Sequence, residues 1–254
     1  MNTKEILDII SSRKVILIAG EYGRGKSLSG TALIFMLCVL SGSYNILSNI
    51  PLYFGKELNK LFNVTSLNSS SEFDKDHKKT RIFHDELQRD FGSRDFASSS
   101  AKILSKFSVD FRKDDSQLIG TIQFMDRLDT ALNEIVQIVI IPTFIHTYSN
   151  NAKEDNKIRL EKKDFWVLWK IQDKQYDEAY ELKLNLYPYI KFYDTNFKPY
   201  PLVINHGEYL DKQEKNLTEK KFDNLTDRLR EKLSTNCDNW NESYHKLIMR
   251  SNEP

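Results

Sequence analysis

Residues 20–27 of this 254-residue chain read Gly20-Glu21-Tyr22-Gly23-Arg24-Gly25-Lys26-Ser27, and Leu28 follows them. Glycines at three of the first six positions allow the backbone to wrap tightly and to turn several N–H groups inward. The apolar residues Val15–Ile18 before this loop are typical of a buried strand, and the run from Lys26 to Leu40 predicts a helix. A glycine-rich loop between a strand and a helix is typical of a phosphate-binding loop, because the helix adds its positive N-terminal end.

The side chains of this loop predict which part of a nucleotide each would bind. Lys26 has the length and charge to reach the β- and γ-phosphates of a nucleoside triphosphate, and the Ser27 hydroxyl would be a ligand of Mg²⁺. We expect residues 20–28 together to contact the nucleotide, with ATP and Mg²⁺ as cofactors. The alternative is an ordinary glycine turn, against which the strand before the loop and the helix after it both argue.

A second polar segment follows a later predicted strand. The sequence Arg81-Ile82-Phe83-His84-Asp85-Glu86 predicts a strand that ends in two carboxylates, about sixty residues after the loop. In a nucleotide-hydrolysing site Asp85 would lie beside the Mg²⁺ shell and Glu86 beside the attacking water. The alternative is a solvated turn, since acidic residues are common at protein surfaces. We interpret His84 as a packed side chain rather than a ligand.

Further along, Thr121-Ile122-Gln123 ends the next predicted strand. The Gln123 amide would hydrogen-bond the γ-phosphate or the lytic water, and the alternative is a glutamine that pairs with a neighbouring loop. An arginine that stabilises the transferring phosphoryl group often comes from a neighbouring subunit. The arginines close to these strand ends in the sequence are Arg89, Arg94, Arg112 and Arg127.

The rest of the chain continues the alternation of strands and helices. Further strands are predicted at residues 44–49, 80–84, 117–123 and 135–141, helices at 55–62, 99–111 and 125–132, and a polar loop at 63–79. This alternation favours right-handed crossovers and a mostly parallel sheet flanked by helices, which is an α/β fold. Long strands at 165–171 and 180–189 predict an antiparallel extension at one sheet edge. We therefore expect one domain at residues 1–204, with the extension at about 158–195, and a polar helical tail at residues 205–254.

Composition limits the classes of function. There are 37 Lys and Arg residues against 36 Asp and Glu, so any contact with DNA must come from local basic patches rather than from the total charge. The two cysteines, Cys38 and Cys237, suggest no disulfide framework, which fits a reducing cytoplasm. The apolar runs at 31–40 and 135–145 are too short or too interrupted to span a bilayer, so no transmembrane segment is predicted.

Several short segments occur in a specific order along the chain. After the phosphate loop come Ser48–Leu52, His84–Gln88, Phe111–Lys113, a strand ending in Gln123, Asp126–Asp129 and Phe192–Thr195. In this order they resemble the FtsK–HerA superfamily of DNA-pumping ATPases. The resemblance is strongest to the genome-packaging ATPases of archaeal and internal-membrane viruses, with the zonula occludens toxin-like assembly proteins of filamentous phages as cousins. It covers about Arg13 to Thr195.

The resemblance implies a RecA/FtsK-like P-loop NTPase fold. It also implies a hexameric ring of subunits that pulls double-stranded DNA through its central pore. It implies Asp85 and Glu86 as the metal and base carboxylates, Gln123 as the sensor, and Arg112 as the arginine that acts on a neighbouring subunit. If Arg112 does not have this role, we expect Arg94 or Arg127 to have it. The chain departs from the family in a less apolar segment before the acidic pair. It also departs from the phage cousins, which carry a membrane segment after the ATPase domain.

The missing membrane segment favours a packaging motor in the host cytoplasm or on the virion, docked to a capsid vertex or a membrane protein. An alternative is a replication or plasmid-maintenance ATPase of AAA+ or RecA type. Another is a nucleotide-gated assembly switch without useful turnover, against which Glu86 argues. The sequence contains no Asn-Lys-x-Asp motif, which disfavours a GTPase, and no acceptor site for a small-molecule kinase is visible. Candidate DNA-contacting residues are Lys102, Lys106 and Lys113.

Overall fold

The computed structural model describes residues 2–56, 58–68, 78–91, 115–128, 130–145 and 165–194. Within these residues there are eight strands, which are β1 Val15–Ala19, β2 Asn45–Ser48, β3 Asn63–Ser66, β4 Thr80–His84, β5 Gln117–Ile122, β6 Ile138–Ile145, β7 Trp166–Asp173 and β8 Glu178–Asn185. They form a single sheet in the order β3-β2-β4-β5-β1-β6-β7-β8.

The sheet is parallel over most of its width and antiparallel at one edge. Strand β1 lies between β5 and β6 and is parallel to both, and β2 lies between β3 and β4 in the same sense. The β6–β7 and β7–β8 pairs are antiparallel. All residues of β1, β4 and β5 are buried, as expected of parallel strands covered on both faces. The predicted α/β fold class, with its antiparallel edge extension, is confirmed.

The described helices are α1 Thr3–Ser12, α2 Lys26–Ser41 and α3 Thr130–Ile135. Helix α2 is apolar around most of its circumference and is buried from Leu28 to Val39, as expected of a helix enclosed by its neighbours. It begins after Gly25 and ends at Gly42, and both glycines have the left-handed conformation. None of the described helices is long and apolar enough to cross a membrane.

The antiparallel extension shares its core with the helices on one face of the sheet. The Trp169 indole N–H of β7 donates to Ser29 Oγ of α2 at 3.1 Å. The Arg13 guanidinium at the end of α1 pairs with the fully buried Asp173 carboxylate of β7 at 2.6 Å. The strands beyond β6 therefore pack into the same body as the phosphate loop and its helix.

Several local predictions were wrong in detail. The segment predicted as a helix at 55–62 instead contains a 3-10 turn at Leu58–Lys60. Gly55 has a φ of 93°, which an α-helix does not allow, and the rings of Phe54 and Phe62 pack on Phe35. The predicted loop at 63–79 begins with strand β3, whose polar, half-exposed residues give no apolar alternation.

Two helical segments also differ from the prediction. Helix α1 was not predicted, although its Asn2 and Glu5 form a capping box. The segment predicted as one helix at 125–132 contains a 3-10 turn at Met125–Arg127, and α3 begins at Thr130. The helix predicted at 99–111 and the tail at 205–254 lie outside the described residues.

Candidate functional site

Three of the sequence-predicted segments meet at the carboxyl ends of the central strands. The loop at residues 20–27 follows β1, the pair Asp85–Glu86 follows β4, and Gln123 follows β5. Because β4, β5 and β1 are adjacent and parallel, their carboxyl ends lie side by side. Open α/β sheets bind their ligands at this end of their strands.

The backbone of the loop has the shape that an anion site requires. Gly20, Gly23 and Gly25 have φ values of 154°, 75° and 77°, which residues other than glycine rarely adopt. The Gly20 N–H donates to the Ile122 carbonyl at 3.2 Å, which attaches the loop to β5. Among the described residues, no side chain caps the start of α2 after Gly25, so these residues leave the first N–H groups of the helix available to an anion.

The charged residues of the loop separate into an exposed pair and a half-buried lysine. Glu21 and Arg24 form an exposed ion pair at 3.2 Å, and Tyr22 is 87% exposed. The Lys26 ammonium donates to the Glu21 carbonyl at 2.9 Å. Burial lowers the pKa of Lys26, while the nearby Asp85 and Glu86 carboxylates oppose that shift. Lys26 is thus held by a backbone carbonyl next to two acids.

One oxygen of Asp85 is the centre of a hydrogen-bonded cluster. Ser27 Oγ donates to Asp85 Oδ1 at 2.8 Å, and Thr121 Oγ1 donates to the same oxygen at 2.7 Å. Two donors on one oxygen suit an ionised carboxylate, which can only accept. The cluster therefore joins the start of α2, the end of β4 and the end of β5.

Glu86 is directed by its backbone. It has a φ of 58° and a ψ of 50°, a left-handed conformation that is uncommon for a residue with a side chain. Its N–H donates to Thr121 Oγ1 at 2.9 Å. Its side chain is 38% exposed and lies 3.8 Å from the Arg89 guanidinium. Glu86 thus points away from the buried side chain of Asp85, although the two are consecutive.

Asn49, just beyond β2, supports the acidic pair through hydrogen bonds to the Asp85 backbone. Its Oδ1 accepts from the Asp85 N–H at 2.7 Å, and its Nδ2 donates to the Asp85 carbonyl at 2.8 Å. His84 is fully buried, with Nε2 3.0 Å from Asp90 Oδ2 and Nδ1 3.4 Å from Asn49 Nδ2. The interpretation of His84 as a packed side chain agrees with this burial.

A cleft of about 440 Å³ opens at the carboxyl ends of these strands. Its lining includes Tyr22, Gly23, Gly25, Lys26, Ser27, Leu28, Glu86, Thr121, Gln123, Phe144, Phe165, Ile190 and Tyr193. The volume lies within the roughly 300–1,000 Å³ of small-molecule sites. Burial, and secondly the negative charge of Asp85, raise the pKa of Tyr193 to about 12, so this phenol stays neutral.

The hydroxyl of Ser27 and the carboxylate of Asp85 are oxygen donors of the kind that Mg²⁺ prefers. The described residues contain no group of three or more His, Cys, Asp or Glu side chains arranged to hold a metal. A pair of protein oxygens is nevertheless enough where phosphates supply further ligands, as Mg²⁺ in nucleotide sites usually has only one or two carboxylates. The donor set therefore fits a magnesium ion bound together with a polyphosphate.

The structure brings together most of the site residues predicted from the sequence. Lys26, Ser27, Glu86 and Gln123 line the cleft, with Asp85 directly behind Ser27. The arginine predictions are not tested. Arg94, Arg112 and the side chain of Arg127 lie outside the described residues, and Arg89 lies 3.8 Å from Glu86 without lining the cleft. Reasoning from the sequence assigned no role to Asn49 or Thr121. Their partners are 36 positions away, and the only available signal was that each stands at the carboxyl end of a predicted strand.

No protein-family model matches the chain, and no curated protein sequence matches it either. Its fold does resemble solved structures. The genome-packaging NTPase of Sulfolobus turreted icosahedral virus 2, in complex with AMP, is 14% identical with a TM-score of 0.43, over 66% of this chain and 96% of that one. The N-terminal domain of zonular occludens toxin from Neisseria meningitidis is 14% identical with a TM-score of 0.44, over 72% and 99%.

A third similar structure is the flagellar accessory protein FlaH from Methanocaldococcus jannaschii. It is 14% identical with a TM-score of 0.38, over 63% of this chain and 78% of that one. A viral genome-packaging NTPase and a zonular occludens toxin are also the two kinds of protein that the motif order resembles.

Proposed function

We propose that this chain binds ATP with Mg²⁺ and hydrolyses it. The observation that carries the proposal is the cluster on Asp85 Oδ1, which receives hydrogen bonds from Ser27 of the loop and Thr121 of β5. The next residue, Glu86, is directed separately into the cleft by its left-handed backbone. A metal-binding pair and a second carboxylate beside one phosphate loop are the parts that nucleotide hydrolysis requires.

In this proposal the loop and the start of α2 bind the phosphates, and Lys26 leaves the Glu21 carbonyl to contact the β- and γ-phosphates. The lowered pKa of Lys26 reflects burial that is compensated when a polyanion binds. Ser27 and Asp85 would hold Mg²⁺. When bound, the ion neutralises charge that develops on the transferring phosphoryl group.

Glu86 is the proposed general base. Its carboxylate faces the cleft and remains partly exposed, so a water molecule can reach it. Gln123 follows β5 and lines the same cleft, and in this proposal its amide hydrogen-bonds that water or the γ-phosphate. Thr121 links the two functions, because its hydroxyl contacts both the Asp85 carboxylate and the Glu86 backbone.

We further propose that hydrolysis drives translocation of double-stranded DNA, as in a viral genome-packaging motor that works as a hexameric ring. The order of motifs from the phosphate loop to Phe192–Thr195 supports this proposal. The total charge of +1 means that contact with DNA depends on local basic residues and falls steeply with salt. The alternatives are a replication or plasmid-maintenance ATPase and a nucleotide-gated assembly switch.

The test is ATP turnover measured with and without long duplex DNA, using the full chain. We expect turnover to rise with DNA and to depend on its length, and Lys26→Ala to abolish turnover under both conditions. A turnover rate that is the same with and without DNA but rises with a helicase or other protein partner would favour the replication alternative. Tight ATP binding without turnover would favour the switch.

A further inference from the structure

The lining of the cleft is of two chemical kinds. Lys26, Ser27, Glu86 and Gln123 are polar and account for the triphosphate, the magnesium ion and the water of the proposed function. Phe144 and Phe165 are aromatic, half-buried, and have no part in that chemistry. A nucleotide also has two parts, a charged polyphosphate and a flat aromatic base. The aromatic part of the lining suits the base, as the polar part suits the polyphosphate.

Phe144 packs directly on the phosphate loop. A Cβ atom on Gly25 would lie 2.6 Å from Cζ of the Phe144 ring, much closer than two carbons can approach. Gly25 also has a φ of 77° and is the last residue before α2. The absence of a side chain at Gly25 therefore lets the ring lie against the loop backbone while it still lines the cleft, next to the start of the helix that would hold the phosphates.

The second ring holds the first in place. The Phe144 and Phe165 centroids are 5.1 Å apart and the planes meet at 73°, an edge-to-face contact. Phe144 belongs to β6 and is paired with Val167 of β7, while the Phe165 carbonyl accepts from the Leu186 N–H at 2.9 Å. Phe144 thus stands in the antiparallel part of the sheet and Phe165 directly before β7, and backbone pairing supports both rings.

We propose that Phe144 and Phe165 form the subsite for the base of the bound nucleotide, which stacks on this aromatic pair. The inference rests on the proposed function, because it takes the phosphates to lie on the loop. Phenyl rings carry no hydrogen-bonding groups, so the pair holds a base by its face and does not read its edge. Replacing a ring should therefore weaken ATP and GTP binding by similar factors and leave binding of the polyphosphate part unchanged.

The experiment is calorimetric titration of the full chain, in Mg²⁺, with three probes: a non-hydrolysable ATP analogue, the matching GTP analogue and inorganic tripolyphosphate. The variants are Phe144→Leu and Phe165→Leu, which keep apolar volume but remove the ring. Phe165→Tyr keeps the ring and serves as the rescue variant. Tyr176→Leu removes an exposed aromatic residue at the far end of β7 and is the matched control.

We expect each leucine variant to lose about tenfold in affinity for both nucleotides, the size typical of base–aromatic stacking. Tripolyphosphate should bind as it does to the wild type, and Phe165→Tyr and Tyr176→Leu should bind all three probes normally. Unchanged nucleotide affinity in the leucine variants would overturn the proposal. An equal loss for tripolyphosphate would also overturn it, because that result indicates damage to the loop. If the wild type binds neither nucleotide nor tripolyphosphate, the proposed function itself has failed.

Discussion

Glu86 has an energetically costly backbone conformation that the fold nevertheless maintains. A non-glycine residue in the left-handed region costs about 1–3 kcal/mol, and here the cost is offset in part by the hydrogen bond from the Glu86 N–H to Thr121. Strain of this kind often occurs where a side chain must point in one direction. At Glu86 it turns the carboxylate into the cleft, while Asp85 stays buried beside Ser27.

Replacing Glu86 with glutamine tests its role as the general base. Glu86→Gln keeps the size and the backbone hydrogen bond but cannot take up a proton. We expect ATP turnover to fall by about 10²–10⁴-fold while ATP affinity stays near that of the wild type. Single-turnover hydrolysis and equilibrium binding measure the two quantities separately. Glu181→Gln, at an exposed position of β8, is the control and should be fully active. Normal turnover in Glu86→Gln would remove this residue from the mechanism.

Lys26 should lower the stability of the nucleotide-free fold, and the effect should depend on pH. Because burial lowers its folded-state pKa below the usual 10.5, the unfolded chain holds this proton more tightly. The resulting penalty is complete at pH values below the folded pKa and disappears as the pH rises toward the unfolded pKa. We therefore expect Lys26→Met to be more stable than the wild type at neutral pH, and the difference to shrink in alkaline solution.

Urea unfolding of both chains without nucleotide, at neutral and at alkaline pH, measures this difference. The Lys26→Met chain should also fail to bind ATP, so one substitution should raise stability and remove function. A Lys26→Met chain that is less stable than the wild type at neutral pH would show that the hydrogen bond to Glu21 and the attraction of Asp85 and Glu86 outweigh burial.

At the scale of elements, Asn49 connects the end of β2 to the end of β4. Two of its side-chain hydrogen bonds go to the Asp85 backbone, so it extends the β2–β4 pairing by one position beyond the strands. It does not line the cleft within the described residues. Its proposed task is to position the acidic pair rather than to contact the nucleotide.

We expect Asn49→Ala to lower turnover more than nucleotide affinity, because the loop and Lys26 remain while Asp85 and Glu86 lose their support. The loss of two buried hydrogen bonds should also cost about 1–3 kcal/mol in unfolding free energy. Asn63→Ala is the matched control, since its amide contacts Asn45 at the exposed β2–β3 edge. The Mg²⁺ concentration for half-maximal turnover distinguishes positioning from simple destabilisation. It should rise in Asn49→Ala and stay unchanged in Asn63→Ala.

The elements that the sequence predicted well are those whose signal is local. Strand β1, the glycine loop and α2 are adjacent in the chain, and their apolar runs and glycines are visible without any tertiary information. Strand β3 lies at the sheet edge and is polar, so it has no apolar pattern to detect. The turn at Leu58–Lys60 depends on the aromatic cluster around Phe35, which sequence distance conceals.

The same distinction applies to the site. Lys26, Ser27, Asp85 and Glu86 could be selected as candidates because each stands beside others of its motif in the sequence. Thr121 has a hydroxyl like many others, and only the β4–β5 pairing brings it to Asp85. Phe144 could not be linked to Gly25 from the sequence, because the contact depends on β6 lying next to β1.

At the scale of the whole molecule, the described part of the cleft lacks a group that would assist the proposed reaction. The described residues that line it contain one cationic side chain, Lys26, and no arginine. Phosphoryl transfer gains about 10³–10⁵-fold from an arginine that contacts the transferring group. The proposed ring would supply such an arginine from a neighbouring subunit, and Arg112 is the position that the resemblance to packaging ATPases implies.

Mixing two inactive variants tests whether the site is shared between subunits. Arg112→Ala should bind ATP and lose most of its turnover, and Lys26→Ala should fail to bind ATP. In a mixed ring, some interfaces combine the intact loop of an Arg112→Ala subunit with the intact arginine of a Lys26→Ala subunit. Turnover should therefore reappear on mixing, with a maximum near equal amounts, because such interfaces are then most frequent. Each variant mixed with wild-type protein is the control for exchange of subunits. If exchange is demonstrated and turnover stays absent, Arg112 does not act across the interface in the way proposed.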